Sequence, residues 1–190
     1  PIQALSGVDI ALWDILAKKA KLPLYQLVGG KCNTQIPVYE YGMMLQNKSV
    51  DELAELFKEE AKHIKSKNFK AMKMKIGLGP KKDLQLVQAV RGAIVNDFKL
   101  MVDANHAYNL NDALYVGKGL DELDIFWFEE PLLPDDYDGY KILSSKSSIP
   151  IATGENEYTK FGFKELIEKH GATIIQPDAL IMGGATEFMK

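Results

Sequence analysis

A chain of 190 residues, 46% hydrophobic and 26% charged, is long enough for one well-buried domain and has an ordinary globular composition, which argues against disorder. Its net charge of −3 supplies no basic surface for nucleic acid, and no signal-peptide pattern or bilayer-length apolar run is present, so a cytoplasmic location is expected and no membrane or nucleic-acid partner. Cys32, the single cysteine, makes no internal disulfide and is assigned no role.

From Ile2 to about Ala20, Leu5, Val8, Leu12, Ile15 and Leu16 recur at helical spacing, and Pro23 with Gly29 and Gly30 ends that segment. A first strand is expected at Ile36 to Tyr41. Ser49 and Glu52 have capping-box spacing ahead of Leu53, Leu56, Phe57 and Ile64, which predicts a helix from about Val50 to Ser66. The second strand is read at Ala71 to Ile76, followed by a helix carrying Leu84, Val87, Val90 and Ile94. A third strand at Lys99 to Asp103 leads to a helix carrying Ala113, Val116, Leu120 and Leu123, and a fourth strand at Ile125 to Glu129 comes next. Strands at Ile149 to Gly154 and Thr173 to Pro177 bracket a helix with Phe163, Leu166 and Ile167, and Gly183-Gly184 opens one more helix. The rhythm is that of six repeated strand–helix units, and hence of parallel strands.

Asp103, Glu129 and Glu155 each close one of these strands, at equal intervals. In a parallel barrel the C-terminal strand ends converge on one mouth, where three carboxylates would share a divalent cation. Alternation puts Lys73 with Lys75, Asp103 with Asn105, Thr153 with Glu155 and Gln176 with Asp178 on the inward face, and Met72, Met74, Val102, Phe126 and Phe128 on the outward, helix-covered face. Two lysines and four carboxylates would be costly as mere core, because isolated buried charges cost several kcal/mol each unless paired or metal-bound. The alternatives are surface acids at strand ends, lysines guarding an exposed edge strand, and Asp178 as a helix N-cap after Pro177. His63 and His170 read as surface residues, and His106 as a loop residue, with substrate contact its alternative. Tyr39 and Tyr41 are candidates for the pocket wall or the aromatic core. Glu130 and Glu157 fall near the mouth with no assignable role.

The stretches Lys73-Met74-Lys75, Val102-Asp103-Ala104-Asn105, Phe128-Glu129-Glu130-Pro131, Gly154-Glu155-Asn156 and Gln176-Pro177-Asp178, in this order and at barrel-unit spacing, resemble the enolase superfamily, in particular its mandelate racemase subgroup. The opening Ala4 to Asp14 is similar to the segment that leads into that family's barrel. The resemblance implies an α/β fold, a parallel (β/α) TIM-type barrel, with residues 1–32 as the helical connection from a capping domain and 33–190 as the barrel. It implies Mg²⁺ held by Asp103, Glu129 and Glu155, with Lys75 as the base, Lys73 as its electrostatic partner and Asn105 contacting a substrate oxygen. Asp178 matches the acid that orients a histidine on the following strand. Glu155 rather than Asp as third ligand, and Asp178 where muconate-cycloisomerising relatives carry a lysine, favour the racemase subgroup.

The implied chemistry removes a proton next to a carboxylate, giving an enediolate whose charge Mg²⁺ stabilises as a Lewis acid. A second lysine and a nearby cation are expected to lower the pKa of Lys75 so that it acts as base near neutral pH; a lysine or histidine base with Mg²⁺ is a general pattern of this superfamily. Loss of a β-hydroxyl then dehydrates a sugar acid, the favoured outcome, whereas reprotonation gives a racemase or epimerase, and a cycloisomerase is the further alternative. The expected partners are a small carboxylate substrate and further copies of the chain. A complete barrel takes about 250 residues, so about six of eight units are expected here, without most of the N-terminal α+β capping domain. By itself such a piece is expected to be inactive, or limited to binding or assembly.

Overall fold

The computed structural model describes residues 1–94 and 98–190. Helices α1 (Ile2–Ala20) and α2 (Leu24–Leu27) precede strand β1 (Glu40–Gly42), α3 (Val50–Ser66), β2 (Ala71–Lys75) and α4 (Pro80–Ala93). Then follow β3 (Lys99–Asp103), α5 (Leu110–Glu122), β4 (Ile125–Glu129), α6 (Tyr137–Lys146) and β5 (Ile151–Thr153). The last elements are α7 (Thr159–Glu168), β6 (Ile174–Ile175), α8 (Ala179–Met182) and α9 (Ala185–Phe188). The chain divides into two compact units, one of Val38–Thr153 with Glu168–Ile175, the other of Pro1–Pro37, Gly154–Ile167 and Gln176–Lys190. No helix among the described residues is long and apolar enough to cross a membrane.

The larger unit holds a single sheet in the order β1-β2-β3-β4-β5-β6, every neighbouring pair parallel. Six parallel strands in sequential order with intervening helices are the strand–helix units of an incomplete (β/α) barrel. Helix α3 begins where the sequence places its capping box: the Glu52 N–H donates to Ser49 Oγ at 3.3 Å and the Ser49 N–H to Glu52 Oε2 at 2.9 Å. Its buried face of Leu53, Phe57, Ala61 and Ile64 belongs to one core with Met72 and Met74 of β2 and Leu86, Val87 and Val90 of α4. Phe57 is completely buried. Phe57→Ala is expected to destabilise the protein by about 3–5 kcal/mol, the range for emptying a buried phenylalanine site, and urea unfolding measures it.

Two readings of this unit need correction. The first strand was expected at Ile36 to Tyr41, but β1 is confined to Glu40–Gly42, where it pairs with Met72 to Met74. Ile36 and Val38 are β-branched, yet 75% and 69% exposed, because propensity alone forms no strand without a partner to bond. Phe126 was expected under the helices with Phe128, but it is 40% exposed while Phe128 is fully buried. The cause is a register shift: Leu100 pairs with Ile125 and Val102 with Phe128, so β4 carries one extra residue and its alternation slips. Phe126 lies instead under the Lys99 ammonium, 4.2 Å from its ring centre.

In the smaller unit, α1 forms over Ile2–Ala20 as its periodicity predicts, but Leu5, Val8, Leu12, Ile15 and Leu16 are all exposed. Polar bonds tie α1 to the end of α8 and to α9. Ser6 Oγ accepts the Gly183 N–H at 2.9 Å, Asp9 accepts the Thr186 hydroxyl at 2.6 Å and backbone N–H at 3.0 Å, and Trp13 Nε1 donates to Thr186 Oγ1 at 2.8 Å. The hydroxyl bond from Thr186, with its backbone N–H, holds the Asp9 carboxyl below the usual range. Gly184, at φ 89°, admits no side chain, since a Cβ there would meet Asp9 Oδ2 at 2.3 Å.

Candidate active site

The registers of β2, β3 and β4 bring four of the sequence-selected charges together. Lys75 pairs with Asp103, which pairs with Glu129, and one step back along the strands Tyr41 pairs with Lys73 and Lys73 with Met101. Alternation then turns these side chains to the same face, opposite Met72, Met74, Val102 and Phe128. Lys73, Asp103 and Glu129 are buried. The edge-strand alternative for the lysines therefore does not apply, because β2 lies between β1 and β3.

Every one of these charges is paired. The Lys73 ammonium donates to Glu129 Oε1 and lies 3.4 Å from Asp103 Oδ2; that of Lys75 donates to Asp103 Oδ2 at 2.6 Å and to Asn105 Oδ1. Asp103 Oδ1 accepts the Asn105 N–H at 3.0 Å, and Glu129 Oε2 accepts Trp127 Nε1 at 2.9 Å. Tyr39 meets Trp127 edge to face at 5.5 Å, and the rings of Tyr39 and Tyr41 stand 5.7 and 5.4 Å from the Lys73 ammonium. Both tyrosines thus flank the lysines, an arrangement that favours cationic side chains.

Burial by itself lowers the pKa of Lys73, but the hydrogen bond and charge of Glu129, joined by the charge of Asp103, outweigh it and raise the group to about 12. For Lys75, burial again opposes, and the hydrogen bond and charge of Asp103, with help from Tyr41, win and raise it. The lowering expected for Lys75 includes a nearby cation; among the protein groups alone the direction is upward. Its nearest charge is a carboxylate at hydrogen-bond distance, and that attraction exceeds repulsion from the second ammonium.

Strand alternation does not carry through β5. Ala152, not Thr153, is the register partner of Glu129, so Thr153 takes the opposite parity. The strand ends at Thr153, and Glu155 is set by the following turn, in which Gly154 at φ 130° accepts the Glu157 N–H at 3.0 Å. Glu155 and Asp178 both belong to the smaller unit. Asp178 caps α8, its Oδ1 accepting the Leu180 N–H at 2.7 Å, which is the capping alternative seen in the sequence. Among the described residues no three His, Cys, Asp or Glu side chains are grouped to hold a metal ion. As a donor set, the paired carboxylates of Asp103 and Glu129 are hard anionic oxygens, the ligand type that suits Mg²⁺.

Sequence reasoning gave Glu130 no role, read His106 as a loop residue and did not single out Asp83. Glu130 is fully buried, with Oε2 3.2 Å from both Asn105 Nδ2 and His106 Nε2. Asp83 is also fully buried and accepts the N–H groups of Gly77, Leu78 and Gly79 at 2.9, 3.0 and 2.8 Å, and the Tyr108 hydroxyl at 2.7 Å. The only sequence signal for Asp83 was an acid in the first turn of a helix opened by Pro80, beside two glycines. His63 and His170 are exposed, as expected.

A parallel α/β sheet carrying lysines and carboxylates on one face at the C-terminal strand ends defines a class of barrel proteins with the site at that mouth. The comparisons place the chain within it. Residues 56–190 match the family model described as enolase C-terminal domain-like, and residues 2–29 match the mandelate racemase / muconate lactonizing enzyme N-terminal domain, so the chain belongs to this family of the enolase superfamily. It is 39% identical to an arabinonate dehydratase of Saccharolobus solfataricus over 190 residues, covering all of this chain and 50% of that protein. Among solved structures, the 3,6-anhydro-D-galactonate cycloisomerase of Zobellia galactanivorans has a TM-score of 0.90 and 46% identity over 98% of this chain and 51% of its own. A racemase of Streptomyces coelicolor with bound magnesium has a TM-score of 0.88 and 36% identity, over 98% of this chain and 55% of its own. The chain spans about half the length of the curated relatives it matches.

Proposed function

We propose that the protein carrying this chain removes the proton α to the carboxylate of a sugar acid and goes on to expel a β-hydroxyl, as a dehydratase. The observation that carries this reading is the convergence of Lys73 and Lys75 with Asp103 and Glu129 on one face of adjacent parallel strands. The likeness to an arabinonate dehydratase supports the substrate class.

In this reading Lys75 is the base, Lys73 balances charge beside the substrate carboxylate, Asn105 bonds a substrate oxygen, and Asp178 orients a histidine of the following strand. Asp103, Glu129 and Glu155 are the Mg²⁺ ligands. Mg²⁺, when bound, would supply Lewis-acid stabilisation of the negative charge building on the substrate carboxylate. Lys75 acts in its neutral form, whose two N–H groups can stay on Asp103 Oδ2 and Asn105 Oδ1 while the lone pair left by the third proton takes the substrate proton. Residues 1–32 connect a capping domain to the barrel of 33–190, and the protein works in the cytoplasm as a homo-oligomer.

The second reading, cycloisomerisation, is favoured by the 46% identity to a cycloisomerase of known structure. Product analysis separates the two. Incubated with a panel of aldonic and aldaric acids, anhydro acids and sugar-acid lactones, a dehydratase gives a keto-deoxy acid lighter by one water, and a cycloisomerase gives a product of unchanged mass. Loss of water is the expected result; an isomer as the only product rejects dehydration.

A further inference from the structure

Glu130 follows Glu129 in the chain, is fully buried, and has no part in the chemistry above. Its backbone lies in the left-handed region at φ 42°, and so do those of Asn105 and His106, at 42° and 66°. Asn and His enter that region more readily than most residues, whereas Glu130 is strained there, and such strain persists only where contacts over-determine it. Such contacts are present. The His106 N–H donates to Glu130 O at 2.7 Å, the Tyr108 N–H donates to Pro131 O at 3.2 Å, and His106 Nδ1 lies 2.8 Å from Leu132 O. A carbonyl only accepts, so Nδ1 carries a proton; Nε2, 3.2 Å from Glu130 Oε2, bonds that carboxylate as a second N–H donor, which is the doubly protonated ring.

The same Glu130 oxygen accepts from Asn105 Nδ2, also at 3.2 Å. A side-chain amide has two unlike ends. With its NH₂ on the carboxylate, Asn105 turns its oxygen to the Lys75 ammonium, from which it accepts. The reverse orientation would set the amide oxygen against the Glu130 carboxylate and the NH₂ against the ammonium, acceptor to acceptor and donor to donor. We propose that Glu130, braced by His106, is a positioning residue that fixes the Asn105 amide with its oxygen toward Lys75 and the substrate. The inference rests on the reading of Lys75 as the base for its catalytic consequence, though not for the amide orientation itself.

Glu130→Gln keeps the shape of the side chain but replaces a pure acceptor by an amide, so both orientations of Asn105 become available. In the protein as it occurs, kcat/KM for α-proton abstraction is expected to fall about 10- to 100-fold, the scale of a misplaced reacting group. In an Asn105→Ala background the same change is expected to have no further effect; an equal loss in both backgrounds would mean a merely structural role and overturn the proposal. A second readout needs no turnover. In ¹⁵N–¹H spectra one side-chain amide proton of Asn105 is expected to exchange slowly with solvent, and Glu130→Gln to release it; unchanged exchange overturns the proposal. If Glu130→Gln does not fold, Glu130→Asp, which keeps the charge but shortens the reach, serves in both measurements with the same criteria. Should wild-type protein turn over no sugar acid, the proton-abstraction reading fails, while the Asn105 spectrum still decides the positioning role.

Discussion

Lys75→Ala is expected to lower α-proton exchange of the substrate by about 10²- to 10⁴-fold, the usual contribution of a positioned general base. Lys75 is only partly buried, and its amine sits between Asp103 Oδ2 and Asn105 Oδ1. Removing it leaves Asp103 still bonded by the Asn105 N–H and 3.4 Å from the Lys73 ammonium, so the fold is expected to survive. Activity and stability should therefore separate at this position. Lys73 behaves differently, because Glu129 is fully buried and its Oε1 bonds that ammonium. Lys73→Ala would take the ammonium from a buried carboxylate and reduce stability as well as rate. Exchange kinetics beside urea unfolding check the pair. Wild-type exchange in Lys75→Ala would exclude it as the base.

Asp83→Ala is expected to cost about 3 kcal/mol or more in urea unfolding, since it leaves three backbone N–H groups and the Tyr108 hydroxyl without their shared acceptor. The carboxylate ties the turn after β2, where Gly77 and Gly79 have φ values of 134° and 108°, to the loop after β3 that carries Asn105 and His106. Burial, with the charge of Asp83 added, pushes the Tyr108 hydroxyl well above the ordinary tyrosine range, so it stays a donor throughout the working pH range. Tyr108→Phe is expected to cost less, about 1–3 kcal/mol, because the three backbone bonds remain. The two changes share one acceptor and should not be additive. An Asp83→Ala protein as stable as wild type would show that the turn finds other acceptors.

What the sequence made legible and what it hid have physical reasons. Helix α3 was readable to the residue because its start depends on a local device, the Ser49–Glu52 capping box, and β3 and β4 because each is a short apolar run closed by an acid. That Lys73, Lys75 and Asp103 turn to one face followed from alternation, but which carboxylate each ammonium bonds depends on the strand register, which the sequence does not show. Alternation failed where register slipped: an extra residue in β4 moved Phe126, and the early end of β5 left Glu155 to a turn. The stripe of α1 predicted its helix correctly but said nothing of what the helix meets, and Ser6, Asp9 and Trp13 make its polar bonds. Glu130 was invisible because its role depends on two loops crossing, Asn105 and His106 from one and Leu132 from its own.

Proton abstraction next to a carboxylate leaves a direct trace, whatever follows it. With Mg²⁺ and a panel of sugar acids deuterated at the α-carbon, the protein as purified from its natural source is expected to release that deuterium to solvent, whether the product is a keto-deoxy acid or an isomer, and to stop doing so when EDTA removes the metal. Turnover in which that deuterium is retained in the product, or release indifferent to EDTA, would contradict a Lys75- and Mg²⁺-dependent abstraction.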